Sequence, residues 1–169
     1  MSQSTQEHRS QSPQQLRCAV ITVSDTRTPE TDTGGQGVVD RLLAAGHVVN
    51  HRTIIRDDPQ QMRPLLLALA SRDDLDAILL TGGTGIASRD FTYETVSALL
   101  TKPLPGYGEL FRMLSYQQVG AAAMLSRAVG GILGRKVVLT MPGSPAGVQL
   151  AMEQLIVPEL GHLVREARR

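Results

Sequence analysis

Three glycines and two threonines crowd the segment Thr81-Gly82-Gly83-Thr84-Gly85, and Pro142-Gly143-Ser144-Pro145 sets another glycine and hydroxyl where a helix begins. A glycine-rich turn bares backbone N–H groups and lets an anion approach closely. A helix start offers free amides and the positive end of the peptide dipole. A phosphate suits both. Each motif also has a plain reading, as an ordinary turn and an ordinary N-cap, and it is the pair that points to anion chemistry. Carboxylates lie nearby in the pattern. Asp57 has no evident structural task, and Asp90 follows Arg89 just beyond the glycine segment, where it serves either a ligand or a salt bridge. Two aspartates beside a phosphate loop are suited to holding Mg²⁺, which takes oxygen ligands and bridges phosphates. Asp25, in Ser24-Asp25-Thr26, reads first as structural, and Asp58 reads as a helix cap.

Other chemistries fit less well. The glycine segment lacks the Lys-Ser/Thr of a Walker A loop, and no G-x-G-x-x-G fingerprint occurs. Pro142 and Ala146 stand where a nucleophile elbow around Ser144 would need glycines. His47 and His51 flank a predicted strand, so they do not stack as helical metal ligands would. A lone Cys18 rules out an intrachain disulfide framework and suits a reducing cytoplasm. With 17 Lys+Arg against 16 Asp+Glu, the charge of +1 gives no field for nucleic acid or an anionic membrane. The longest aliphatic stretch, 65–70, falls far short of the roughly 20 residues that span a bilayer.

These groups need elements to position them. The 169 residues, 41% of them apolar, suit a single domain with a sizeable core, expected over 16–169. Residues 1–15, rich in Ser and Gln without a hydrophobic segment, read as a disordered tail and not as a signal peptide. The β-branched run 18–23 predicts a strand buried on both faces. A helix follows with Val38, Val39, Leu42 and Leu43 on one face, then a strand over 48–55 placed nearer an edge. Asp58-Pro59 opens a helix carrying Met62, Leu65, Leu66 and Leu69. A third strand over 77–80 runs into the glycine segment. Thr92 is expected to cap a helix to about Leu100, and Tyr107, Leu110, Phe111 and Leu114 form a helical stripe. Strand character around 128–133 and a strand over 137–139 precede a last helix capped by Ser144. All five aromatics lie between Phe91 and Tyr116, a cluster read as an oligomer contact or a cap over the pocket. Alternating strands and helices imply right-handed crossovers and a three-layer α/β/α sandwich with a mainly parallel sheet. Ligands then bind outside the carboxyl ends of the strands, where Ser24-Asp25, Asp57, the 81–85 segment and 142–144 all emerge.

The motif Thr81-Gly82-Gly83-Thr84-Gly85 with Arg89-Asp90-x-Thr92, and later Pro142-Gly143-Ser144-Pro145, resembles the MoaB/Mog family of molybdenum cofactor biosynthesis proteins. Val23 to Arg27, Gly106 to Glu109 and Leu125-Ser126-Arg127-Ala128 match in order, so the resemblance covers roughly 17–165. Phe111 to Ser115 looks like the B-type branch, while Phe91 departs from the small aliphatic residue usual there, with a packing change expected. The resemblance implies a molybdopterin-binding α/β domain. Active members adenylylate molybdopterin: its terminal phosphate attacks the α-phosphate of ATP, pyrophosphate leaves, and Mg²⁺ assists. The catalytic and Mg²⁺-holding aspartates map to Asp57 and Asp90. Substrate and nucleotide contacts map to Ser24, Asp25, Thr81, Gly82, Gly83, Thr84, Gly85, Arg89, Ser126, Arg127, Pro142, Gly143 and Ser144. A non-catalytic molybdopterin carrier of the same pathway is the alternative. The resemblance also implies a cytoplasmic homotrimer or homohexamer that hands its product to a metal-insertion protein, with no nucleic acid or membrane partner.

Overall fold

A computed structural model describes residues 12–169. Of the expected 1–15 tail, residues 1–11 lie outside the described residues. Among the described residues six strands form one sheet: β1 (Arg17–Val23), β2 (Val48–Ile55), β3 (Ala77–Thr81), β4 (Lys102–Pro103), β5 (Gly130–Leu133) and β6 (Lys136–Met141), in spatial order β2-β1-β3-β6-β5-β4. The first four in that order are parallel; β5 runs antiparallel to β6, and β4 to β5. The central strands β1 and β3 are almost wholly buried, as their unbroken apolar runs demand. The edge placement expected for residues 48–55 is observed in β2.

The helices are α1 (Thr33–Ala44), α2 (Pro59–Ala70), α3 (Thr92–Leu99), α4 (Pro105–Val119), α5 (Pro145–Ala151) and α6 (Val157–Arg168). A π-type turn over Met152–Ile156 joins the last two, and a 3₁₀ segment, Gly120–Leu125, follows α4. Alternation along the strands makes two cores. Cys18, Val20, Leu79 and Leu139 meet α1, α4 and the α5–α6 rod, whereas Ala19, Ile21, Ile78 and Leu80 meet α2 and α3. The sandwich therefore has three layers.

Local chemistry departs from the sequence reading in places. Phe91, not Thr92, occupies the cap position of α3, and Thr92 is the first helical residue with its side chain wholly buried. Leu43 and Leu110 face outward, because each helix buries a narrower stripe: on α4 the buried residues are Tyr107, Gly108, Phe111 and Ser115, and Leu114 packs partly buried against the same core. The aromatics divide accordingly: Tyr107 and Phe111 are core, while Phe91, Tyr93 and Tyr116 are exposed. Asp58 does cap α2, accepting the Gln60 amide at 2.8 Å, and Ser144 caps α5 by accepting the Gly147 amide.

The end of the sheet remote from the glycine segment is tied by Asp76, which is buried. It accepts the Arg17 amide at 2.7 Å and the Arg17 guanidinium at 2.8 Å, and pairs with Arg168 of α6. Burial alone would raise its pKa, but the bonds from Arg17 and the Arg168 charge hold it below the ordinary value. No helix of the described residues is long and apolar enough to cross a membrane.

Candidate functional site

After β1 the chain crosses to the face that carries α1, and after β3 it passes to the face that carries α3. Because β1 and β3 are neighbours, their loops diverge and leave a crevice at their carboxyl ends, a topological switch point. A cavity of about 160 Å³ occupies it, lined by Val23, Ser24, Asp25, Thr26, Asp57, Gly83, Arg89 and Asp90. Six of the residues singled out in the sequence thus meet in one place: Ser24, Asp25, Asp57, Gly83, Arg89 and Asp90.

Gly83 makes the close approach possible. Its φ is +64°, and a Cβ there would lie 2.1 Å from Thr92 Oγ1 and 2.2 Å from Asp57 Oδ2. The missing side chain lets the backbone press against an acid that needs every nearby dipole. Asp57 Oδ1 accepts from the Thr92 hydroxyl at 3.4 Å, while Oδ2 is buried and has no hydrogen-bond partner. Burial raises the Asp57 pKa to about 6; the charges of Asp90 and Asp25 push it the same way, while the Phe91 backbone and the Thr92 hydroxyl pull against them. A buried carboxylate oxygen with no partner is unfavourable alone, and Asp57 is among the residues that line the crevice.

Asp90 sits across the cavity in a tight turn, its Oδ2 accepting the Ala87 amide at 3.0 Å while its own amide donates to Ala87 O at 2.9 Å. Among the described residues no group of three His, Cys, Asp or Glu side chains is arranged to hold a metal. Two aspartates with one orphaned oxygen do fit Mg²⁺, which is usually bound through one or two carboxylates with phosphate oxygens and water completing its shell. Ser24 Oγ accepts the amides of Thr26 and Arg27 at 3.3 and 3.2 Å, leaving its hydrogen to donate elsewhere.

Of the remaining predicted residues, all but Ser126 and Arg127 belong to the β3 end and the loops that frame this cavity. The Thr81 hydroxyl donates to Pro142 O at 3.0 Å and the Gly82 amide to Met141 O at 3.0 Å, fastening the β3 loop to the β6 loop. Thr84 is buried, and Gly85 gives room to the Asp90 carboxylate, since a Cβ there would stand 2.6 Å from Asp90 Oδ2. Gly143 lies beside Gly82, with Gly143 and Ser144 exposed on the same rim. Ser126 and Arg127 line a different cavity of about 570 Å³, which Tyr93, Glu109 and Arg112 also border. Sequence reading missed Thr92 as the partner of Asp57. Its only signal was its place two residues after Asp90, which also suits a cap.

A family model described as "Probable molybdopterin binding domain" matches residues 19–162. The curated Molybdenum cofactor biosynthesis protein B of Bacillus anthracis is 52% identical over 167 residues, covering 98% of this chain and 99% of that protein. A crystal structure of a molybdenum cofactor biosynthesis protein B superposes with a TM-score of 0.90 at 52% identity, over 94% of this chain and 99% of the other. The tungsten cofactor synthesizing protein MoaB from Pyrococcus furiosus follows with a TM-score of 0.83 at 33% identity, over 93% and 99% of the two chains.

Proposed function

The chain belongs to the family of molybdopterin-binding domains of molybdenum cofactor biosynthesis, and from that premise we propose that it adenylylates molybdopterin with ATP and Mg²⁺. A terminal phosphate oxygen of molybdopterin attacks the α-phosphorus of ATP and forms a new P–O–P linkage. The bond from the α-phosphorus to its bridging oxygen breaks, and the electron pair leaves with pyrophosphate. Such a reaction asks the protein chiefly for alignment and for dipoles and charges aimed at phosphate oxygens.

The observation that carries this reading is the buried, unpartnered Asp57 Oδ2 beside Gly83, with Asp90 lining the same crevice. In the proposed arrangement Asp57 and Asp90 hold Mg²⁺, whose chemistry when bound is to neutralise charge on the phosphate oxygens. The Gly83 backbone and the Ser24 hydroxyl bind and orient phosphate, Arg89 offers its charge at the mouth, and Gly143-Ser144 extends the polar rim. Asp25 adds to the negative field that favours a divalent cation.

Incubation of the full chain with molybdopterin, ATP and Mg²⁺ should release pyrophosphate only when all three are present. Release no faster than without the protein would end the transferase reading. Calorimetry showing tight molybdopterin binding and no ATP binding would replace it with a carrier.

The same reading includes a cytoplasmic homotrimer or homohexamer that passes its product to a metal-insertion protein. Leu110, Met113, Tyr116, Val119, Met124 and Leu125 expose apolar surface along α4 and the turn after it, which supports self-association. Light scattering should give three or six times the 18.2 kDa chain mass; a monomer at micromolar concentration would refute it.

A further inference from the structure

Residues 82–91 connect β3 to α3 without strand or helix pairing of their own, and Ile86 within them is strongly exposed. Something else must fix where Asp90 stands. Arg127 reaches this segment from more than thirty residues away. Its amide donates to Thr84 O at 2.9 Å, its Nε to Gly85 O at 2.7 Å and its Nη2 to Asp90 O at 3.0 Å, while Nη1 pairs with the Glu94 carboxylate. The guanidinium also lies over the Tyr93 ring, 5.2 Å from its centroid. One planar fork therefore holds the segment near its start, at Asp90 and inside the first turn of α3, a geometry that a lysine ammonium cannot copy.

The anchor itself is firm. Two residues on, the Val129 amide donates to Thr140 Oγ1 at 2.9 Å, and the Thr140 amide returns to Val129 O at 2.9 Å, so the Arg127 segment is bonded to β6. All three guanidinium nitrogens already donate to protein acceptors, and Arg127 borders the 570 Å³ cavity and not the Asp57–Asp90 crevice.

We propose that Arg127 is a positioning residue, which sets the Asp90 carboxylate opposite Asp57 by clamping the 84–94 segment onto β6, and does not itself touch a ligand in that crevice. This rests on Asp90 belonging to the transfer machinery. Within that reading Arg127 governs turnover more than substrate affinity, because a displacement of about 1 Å in a reacting array can cost roughly a hundredfold in rate.

The test uses the full chain with Arg127→Lys and Arg127→Ala. In ligand-free protein, NMR should show the Ala87 amide, which donates to Asp90 Oδ2, exchanging about tenfold faster in both variants. In pyrophosphate release, kcat should fall about 10–100-fold with KM for ATP and molybdopterin within about threefold. Added guanidinium ion should restore part of the rate to Arg127→Ala, as a purely structural loss would not allow. Unchanged Ala87 exchange in Arg127→Ala would overturn the clamp, and a raised KM at constant kcat would make Arg127 a ligand contact instead. If Arg127→Ala does not fold, Arg127→Lys carries both measurements. If wild-type protein releases no pyrophosphate, the transferase reading fails while amide exchange still decides whether Arg127 fixes Asp90.

Discussion

Asp57→Asn should lower pyrophosphate release about 10²–10³-fold and, in ligand-free protein at pH 8, raise the thermal midpoint. The loss of rate follows from removing the charge that would share Mg²⁺ and align the phosphates; a misplaced or missing electrostatic group of this kind costs about 3–4 kcal/mol of transition-state stabilisation. The gain in stability follows from linkage. The unfolded aspartate takes its proton near 3.8, whereas burial and the neighbouring Asp90 and Asp25 charges lift the folded value to about 6. Between those values the folded protein holds the additional proton, so its stability falls as pH rises through the window and stays lower above it. Asparagine has no charge to desolvate. Allowing for solvent screening at a half-buried site, the advantage should be roughly 1 kcal/mol, or about 2–4 °C. It should shrink below about pH 4, where the wild-type carboxyl is protonated in both states. Turnover within threefold of wild type would remove Asp57 from the chemistry. A variant less stable than wild type at pH 8 would show that the orphaned oxygen is not the liability its burial implies.

The crevice was legible in the sequence because its parts announce themselves locally. An apolar β-branched run ending in Ser24-Asp25, another ending in the glycine segment, and a third ending in Pro142-Gly143 place three loops on one rim once the strands are parallel. The Asp58 and Ser144 caps were readable for the same reason, since the donor and acceptor lie within three residues. What escaped was set by contacts distant in sequence. Thr92 looks like a cap, but the folded chain spends its hydroxyl on Asp57, 35 residues away, because a buried carboxylate needs a donor more than an exposed helix end does. The acceptors of the Arg127 guanidinium, on Gly85, Asp90 and Glu94, stand 42, 37 and 33 residues before it, and nothing in its local motif names them. The two-residue β4 carries no periodicity to detect; its place follows from pairing with β5.

Gly82→Ala should be the most damaging single-methyl change in the site, costing about 3–4 kcal/mol and lowering the thermal midpoint by about 10 °C. Two penalties combine. The φ of +103° lies where side-chain-bearing residues are strained, which alone costs about 1–3 kcal/mol. The new Cβ would also stand 2.2 Å from the Val23 carbonyl oxygen. That atom belongs to the backbone of the central strand β1, whose partners on both sides hold it in register, so it has no rotamer through which to yield. Relief must come from β3 moving away, and that movement would break the Gly82 amide bond to Met141 O and carry Gly83 off Asp57. Binding of ATP-Mg²⁺ should therefore disappear along with the stability, even under conditions where most of the protein remains folded. Gly134→Ala separates the two penalties: its φ is +62°, but nothing lies within 4 Å of the added methyl. It should cost only about 1 kcal/mol and leave nucleotide binding untouched. Equal midpoints for the two variants would mean that the approach of the β3 loop to β1 is not what shapes the crevice.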